Sequence, residues 1–357
     1  MKTEVAIVGG GLAGLALADR LHNAGVEFQL FEARSRLGGR ISALNTPTGK
    51  VDLGPSWFWP GQPRIAGLIE DLGLRAFPQY SAGDQCFEDE SGTVHRAKGF
   101  ASMEGSFRLE GGMIGLIERL AARLPRDRLN LLSHVNKITQ NGMVLLNERM
   151  QCQAEHIILA LPPRVAAKLQ FEPMLAPDVM QALSAIPTWM AGHAKFVAVY
   201  DNPFWRAAGY SGDAMSRRGP LAEIHDASGV NGTPAALFGF LGVPAAQRFG
   251  RAEEIKAAAL QQLARIFGSD AMRPVTTALM DWAFEAETAT DRDHNPPGGH
   301  PSYGLPPALE KIWDARLQFA STEIASDMGG LMEGALYSAE RVSAQILGAR
   351  TQDYGAS

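Results

Sequence analysis

Three glycines, a glutamate and an arginine near the N-terminus have the types and spacing to hold a phosphorylated ligand. Gly9, Gly11 and Gly14 fit G-x-G-x-x-G, and Glu32 follows Gly14 by 18 positions (32 − 14). In such a run the first glycine permits a tight turn, and the second lets the backbone approach a pyrophosphate. The third lets a helix pack closely on a strand. A carboxylate placed as Glu32 is accepts hydrogen bonds from both ribose hydroxyls of an adenosine. Gly38, Gly39 and Arg40 come next. The glycine pair can bring backbone to a second phosphate, and the guanidinium can neutralise it by bidentate contact. No Ser/His/Asp triad or carboxylate pair is convincingly placed. The eight histidines form no H-x₃-H or HExxH cluster, so metal is not indicated.

These residues need two strands and a helix to hold them. Val5 to Val8 is an apolar run of the kind that forms a strand buried on both faces. Leu15, Leu17, Ala18 and Leu21 then follow a helical pattern that Gly25 ends. A second strand, Phe28 to Phe31, runs straight into Glu32. A bare glycine triplet fits a turn with no ligand equally well. One set between two strands, with an acid closing the second, reads as a dinucleotide site.

Further along, Ile65, Leu68, Ile69 and Leu72 form one apolar helix face closed by Gly73. Tyr80 to Phe107 is short, polar and poorly periodic, and reads as an excursion into a second domain. Gly111 and Gly112 open a helix with a stripe of Met113, Ile114, Leu116, Ile117, Leu120 and Leu124. Leu129 to Val135 reads as a strand, and His156 to Leu161 as a buried strand stopped by Pro162 and Pro163. Gly192 to Tyr200 is strand-like, Ala252 to Phe267 is an amphipathic helix, and a last helix starts near Met332 and runs to Gly348.

The whole chain bounds the answer. Its 357 residues allow a large core and about two domains. Hydrophobic residues are 46% and charged residues 20%, with a net charge of −5. That balance argues against a nucleic-acid or polybasic membrane binder. No apolar run reaches the ~18 residues of a membrane span. The first residues lead directly into a strand, which leaves no room for a signal peptide. The two cysteines, Cys86 and Cys152, lie far apart, as unpaired thiols in a reducing cytoplasm do.

With Glu32-Ala33-Arg34 followed by Gly38-Gly39-Arg40, the sequence resembles the flavin-containing amine oxidase family. That resemblance implies an α/β fold. A Rossmann-like FAD-binding domain of the glutathione reductase/amine oxidase type, residues 1–80, 107–165 and 310–350, interleaves with an α+β substrate domain, 81–106 and 166–309. It also implies non-covalent FAD held by Gly9, Gly11, Gly14, Glu32, Ala33, Arg34, Gly39 and Arg40. Gly54, Pro55, Ser56 and Trp57 resemble the family segment beside the flavin ring system, and Val135 the residue whose backbone meets the adenine. Lys195, in a run similar to K-x(4)-Y-x-x-P-F-W, corresponds to the lysine that reaches flavin N5 through a water. Its neighbours Ala194 and Phe196 leave its facing open, and a surface lysine is the competing reading. Trp282 resembles a tryptophan beside the flavin, Glu323 an acid that bonds the ribityl chain, and Leu331 and Met332 the entry to a helix aimed at the pyrimidine end.

Two departures stand out. His300 replaces the cysteine that carries covalent flavin in mitochondrial monoamine oxidases. Pro301 and Leu331 replace the two tyrosines that flank the amine there. The implied reaction is oxidation of an amine C–N bond with O₂ as acceptor, giving imine or aldehyde and hydrogen peroxide. Implied partners are a small-molecule amine and O₂, with no nucleic acid or membrane. An FAD-dependent desaturase or dehydrogenase acting on a C–C bond of an apolar substrate is the alternative. A flavin-binding protein without redox turnover is a third reading, under which Lys195 lacks a reason.

Overall fold

Two sheets organise the molecule, and each is explained by which faces its strands bury. The structure is a computed structural model and describes residues 1–99 and 101–355. The first sheet has eight strands. Lys2–Val8 lies between Phe28–Phe31 and Met150–Leu159, parallel to both, and Leu317–Phe319 pairs with Met150–Leu159. Val5 to Val8 are buried on both sides, as their unbroken apolar run requires. On one side pack the first helix (Leu12–Asn23), Ile114–Arg123 and the C-terminal helix Met332–Gly355, through Leu17, Leu120, Ala339 and Val342. On the other lie Val179 and Leu183 of Pro177–Ala185, together with Ile157, Leu159 and Phe319. Gln170–Glu172 also joins this sheet, beside Val135–Thr139.

The second sheet has seven strands. Ala194–Tyr200 runs antiparallel between Thr276–Asp281 and Ala235–Leu241, and Leu221–Asp226 and Tyr210–Ser216 follow. Asp84–Glu88 and Val94–Ala97 close the far edge, so the unperiodic stretch after Tyr80 does contain strands. One is paired on a single side and half exposed, which erases the alternation. One face is covered by Ala252–Phe267 through Ile255, Ala259, Leu263 and Ile266. The opposite face meets Val51 and Leu53.

Two expected boundaries move. Leu129 to Val135 is not one strand: Leu129–Asn130 ends, Leu132 turns with φ +54°, and Val135–Thr139 starts afresh. The turn is held by hydrogen bonds from Leu132 N–H to Arg34 C=O and from Ser133 N–H to Glu32 C=O. The last helix runs through Gly348 to Gly355, because that glycine does not take the positive φ that would stop it. Cys86 and Cys152 are buried free thiols. Among the described residues, no helix is long and apolar enough to cross a membrane, and no group of His, Cys, Asp and Glu is placed to hold a metal.

Candidate functional site

The site begins where Lys2–Val8 ends. Gly9 has φ +111°, a conformation that favours glycine. Gly11 is the N-cap of the first helix and has no side chain to occupy the N–H groups of its first turn. Gly14 lies so close to the preceding strand that a Cβ on it would stand 2.0 Å from Gly9 C=O. Glu32 is buried at the end of the second strand, its Oε2 accepting from Gly10 N–H (2.9 Å) and its Oε1 from Arg34 N–H (2.9 Å). Ala33 is half-buried between them. The Arg34 guanidinium reaches Thr288 (3.0 Å) and Glu285 (3.3 Å). The second glycine loop lies directly on the first: Gly38 N–H donates to Gly10 C=O at 2.8 Å, and Gly39 adopts φ +56°. Val135 is buried two residues beyond Ser133, which bonds the Glu32 carbonyl.

Arg40 leads from this cradle to the next group. Its Nη1 meets Glu323 Oε1 at 2.5 Å. Glu323 Oε2 and Ser321 Oγ, both buried, have no partner. A buried carboxylate oxygen without a donor costs about 1–3 kcal/mol or more, so these two atoms fit a hydroxyl-bearing ligand. The Arg40 carbonyl is also where Gly54 packs, at a spot where a Cβ would come within 1.9 Å.

Beyond Gly54 stands Lys195. It is 2% exposed, and its contacts give its facing: the side chain lies on the face of Val197 and Phe238, opposite Ala194 and Phe196. Its ammonium donates to Gly54 C=O (3.0 Å) and Ser56 Oγ (2.7 Å), and lies 3.8 Å from the centre of the Phe238 ring. Burial pushes its pKa down to about 7, with Asp52 working against the fall and Arg108 adding to it. Asp52 is itself buried, and burial raises its pKa despite Arg108 and Lys195. Its Oδ1 accepts from Met113 N–H at 2.8 Å, while Oδ2 accepts no hydrogen bond and lies 4.0 Å from Arg108 Nη2.

Trp57 lies beside this lysine. Its Nε1 donates to Gln79 (2.8 Å), and its ring meets Phe238 at 5.2 Å and His225 edge-on at 4.9 Å. Trp282 is buried and donates from Nε1 to Leu53 C=O at 3.2 Å. Pro55 is half-buried in the same run, as are Leu331 and Met332 at the mouth of the C-terminal helix. Leu331 C=O accepts from Thr322 Oγ1 at 2.6 Å, next to Glu323. Gly330, with φ +81°, is overlain by Tyr303, His300 and Trp189, whose rings contact in sequence at 5.8 and 4.9 Å.

The fingerprint residues, Arg40 with Glu323, and Lys195 with Gly54 and Ser56 therefore form one continuous strip. Sequence reasoning missed Arg108, Asp213, Glu223, His225 and Trp189. For Glu223 and His225 a signal existed: Glu-Ile-His alternates polar and apolar as one strand face does.

A family model described as flavin containing amine oxidoreductase matches residues 82–347, and one described as an NAD(P)-binding Rossmann-like domain matches residues 7–72. A probable flavin-containing monoamine oxidase A of Dictyostelium discoideum is 25% identical, the match covering 96% of this chain and 97% of that protein. Human flavin-containing amine oxidase B is 25% identical, with 97% and 86% covered. Putrescine oxidase of Kocuria rosea is 23% identical, with 98% and 96% covered. Among solved structures, a putrescine oxidase superposes with a TM-score of 0.83 at 22% identity, over 98% of this chain and 99% of that one. Cyclohexylamine oxidase from Brevibacterium oxydans gives 0.80 at 21%, over 96% and 98%. These structures share the fold. The flavin-containing match takes in about three quarters of the chain and the Rossmann-like match takes in its start, so the protein belongs to the flavin-containing amine oxidoreductases.

Proposed function

We propose that this protein is an FAD-dependent amine oxidase that holds its cofactor non-covalently. When bound, FAD would supply the redox chemistry by which the C–N bond of a neutral amine is oxidised to an imine and O₂ is reduced to hydrogen peroxide, after which water hydrolyses the imine to an aldehyde and releases ammonia or an amine. The chain's own residues bind and orient. Gly9 and Gly11 receive a pyrophosphate on the helix N-terminus, which Gly14 lets pack close to its strand. Glu32 takes the adenosine ribose, since each carboxylate oxygen accepts more than the one backbone bond it already has. Ala33, Arg34, Gly39 and Arg40 line the same cradle, Val135 offers backbone to the adenine, and Glu323 bonds the ribityl chain. Gly54, Pro55, Ser56, Trp57 and Trp282 flank the ring system with Lys195, and Leu331 and Met332 bring a helix dipole to its pyrimidine end.

The observation that carries this reading is the seating of the second glycine loop on the first, Gly38 N–H to Gly10 C=O. It joins two phosphate-approaching backbones into one cradle. Residues 1–80, 107–165 and 310–350 serve the cofactor, and 81–106 with 166–309 the substrate. Gln170–Glu172 and Pro177–Ala185 pack with the first sheet, which supports drawing that border nearer residue 186. The test is anaerobic bleaching of the purified yellow protein by a panel of amines, followed by peroxide assay when air returns. Bleaching by no amine would transfer the case to oxidation of a C–C bond.

Three outcomes follow from particular residues. Glu32→Ala is expected to weaken FAD binding by about 1.5–3 kcal/mol, roughly ten- to a hundredfold in Kd, measured by equilibrium dialysis. Acid precipitation is expected to leave the flavin in the supernatant, because His300 and not cysteine follows Gly298-Gly299. A washed pellet that stays yellow would count against this. Benzylamine and phenethylamine are expected to be oxidised more slowly than larger or more polar amines, read as peroxide release. An aromatic cage contributes about 0.5–2 kcal/mol to a cation, and Pro301 and Leu331 offer no aromatic face.

A further inference from the structure

Arg248 is no member of the strip described above, yet two of the three residues its side chain binds lie within three positions of that strip. It stands on a short helical turn, Ala245–Arg248, and is 5% exposed. Its Nε and Nη2 donate to the two carboxylate oxygens of Asp281 at 2.7 and 2.8 Å. Nη2 donates as well to Gly192 C=O at 2.9 Å, and Nη1 to Val243 C=O at 2.6 Å. Four of the five N–H groups of the guanidinium are thereby engaged.

These partners mark the ends of three neighbouring strands. Gly192 lies just before Ala194–Tyr200, Asp281 closes Thr276–Asp281, and Val243 comes just after Ala235–Leu241. Ala194–Tyr200 is the middle strand of the three, so the guanidinium reaches across its entry. The ladder runs out there. Ala194 opposite Asp281 is its last pair, after which Trp282 N–H donates to His193 C=O at 3.1 Å. One chain arrives from a turn in which Met190 has φ +60°. The other leaves as the 3₁₀ turn Trp282–Phe284, which Asp281 caps by accepting from Ala283 N–H at 3.3 Å. Strand pairing therefore leaves Trp282 outside the ladder and Lys195 one residue inside its end. The buried Gly192 carbonyl needs a donor that no strand supplies, and Arg248 is that donor.

We infer that Arg248 is a positioning residue for the oxidation, fixing Lys195 and Trp282 relative to each other by holding the strand ends that carry them. The inference rests on the reading of those two side chains as flanking the flavin ring system. A buried ion pair is often no more stabilising than apolar side chains of the same volume. What the pair adds here is geometry. The planar fork meets both Asp281 oxygens and two backbone carbonyls at fixed angles, which the single ammonium of a lysine does not reproduce.

The test sets the wild type beside Arg248→Ala and Arg248→Lys, with and without millimolar guanidinium chloride, far below denaturing levels. In FAD-free protein, acrylamide quenching of Trp282 is taken as the difference from the same protein carrying Trp282→Phe. In FAD-saturated protein, kcat and KM for an amine are taken from peroxide release. Both substitutions are expected to open Trp282 to the quencher. They are expected to lower kcat about ten- to a hundredfold, as a displacement of about 1 Å does, with KM little altered. Guanidinium is expected to restore both measurements in Arg248→Ala, where it can refill the fork, and neither in Arg248→Lys, whose side chain fills that space. If both variants fail to fold, Asp281→Asn decides, since it keeps an acceptor for Ala283 N–H and breaks the charged fork. It is expected to lower kcat with the same unaltered KM. Wild-type quenching and kcat in the variants, or losses shared equally by KM and not reversed by guanidinium, overturn the inference and leave amine oxidation standing. A wild type that oxidises no amine overturns the oxidase reading, and the quenching measurement then decides whether Arg248 holds Trp282.

Discussion

Lys195→Met is expected to keep FAD bound and to slow one half-reaction at least tenfold in stopped-flow. The step expected to suffer is oxygen reduction, because a cation placed beside developing negative charge in a water-excluded site stabilises it far more than it would in water. The same substitution is expected to stabilise the FAD-free protein near neutral pH. The lysine is buried and its folded pKa is about 7, against 10.5 for the unfolded chain. Between those values the unfolded state binds more protons, so the wild type gains stability as pH rises through that window. Below it, the cost of burying the charge is present in full and amounts to several kcal/mol. The methionine variant lacks that rise, and thermal melts from pH 6 to 10 will show the two curves converging at the alkaline end. Parallel curves would refute the cost of burying its charge, and unaltered rates in both half-reactions would remove Lys195 from the chemistry.

A matched pair of glycine substitutions is expected to separate ligand contact from packing. Gly14→Ala puts a Cβ 2.0 Å from the Gly9 carbonyl, and backbone cannot swing aside as a side chain can. The first helix must lift from its strand, at a cost of roughly 3 kcal/mol or more. Gly11→Ala meets nothing closer than Gly38 C=O at 4.0 Å, and the backbone there, φ −78° and ψ −174°, suits alanine. The prediction is that FAD-free Gly11→Ala melts with the FAD-free wild type but retains little FAD, because on the proposed binding mode the methyl group stands where the pyrophosphate approaches. Gly14→Ala is expected to melt at least 5 °C lower, by about 3 kcal/mol spread over a large domain. Equal Tm values for the two variants would refute the assignment of their roles.

What was legible in the chain is what local pattern writes down. The strand, turn, helix, strand and acid from Val5 to Glu32 could be read because each signal lies within a few residues of the next. So could the helices at Pro63–Asp71, Ile114–Arg123 and Ala252–Phe267, the first two turning their apolar stripes to the core beside the first sheet and the third to that of the second. The facing of Lys195 could not be read, since every residue from Ala194 to Tyr200 is buried and no alternation marks an inside. Its contacts with Gly54, Ser56 and Phe238 show which face it takes. The Asp213–His225 contact joins neighbouring strands, and Lys195 to Gly54 joins residues 141 apart. Such pairings exist only once the sheet is assembled. The break at Leu132 was hidden for a related reason: the bonds that hold it come from Glu32 and Arg34, a hundred residues earlier.

The ion pair between Arg40 and Glu323 spans 283 residues, and Leu317–Phe319 is laid against Met150–Leu159 from the far end of the chain. Ribosomes deliver a chain N-terminus first, at ~5–20 residues per second. The glycine cradle with Arg40 therefore emerges 283 residues ahead of its acidic partner and of the helix that follows. A growing chain holds an open half-site with its apolar sheet uncovered. A chain stopped short of Glu323 leaves Arg40 without its carboxylate partner, however much of the second sheet it has made.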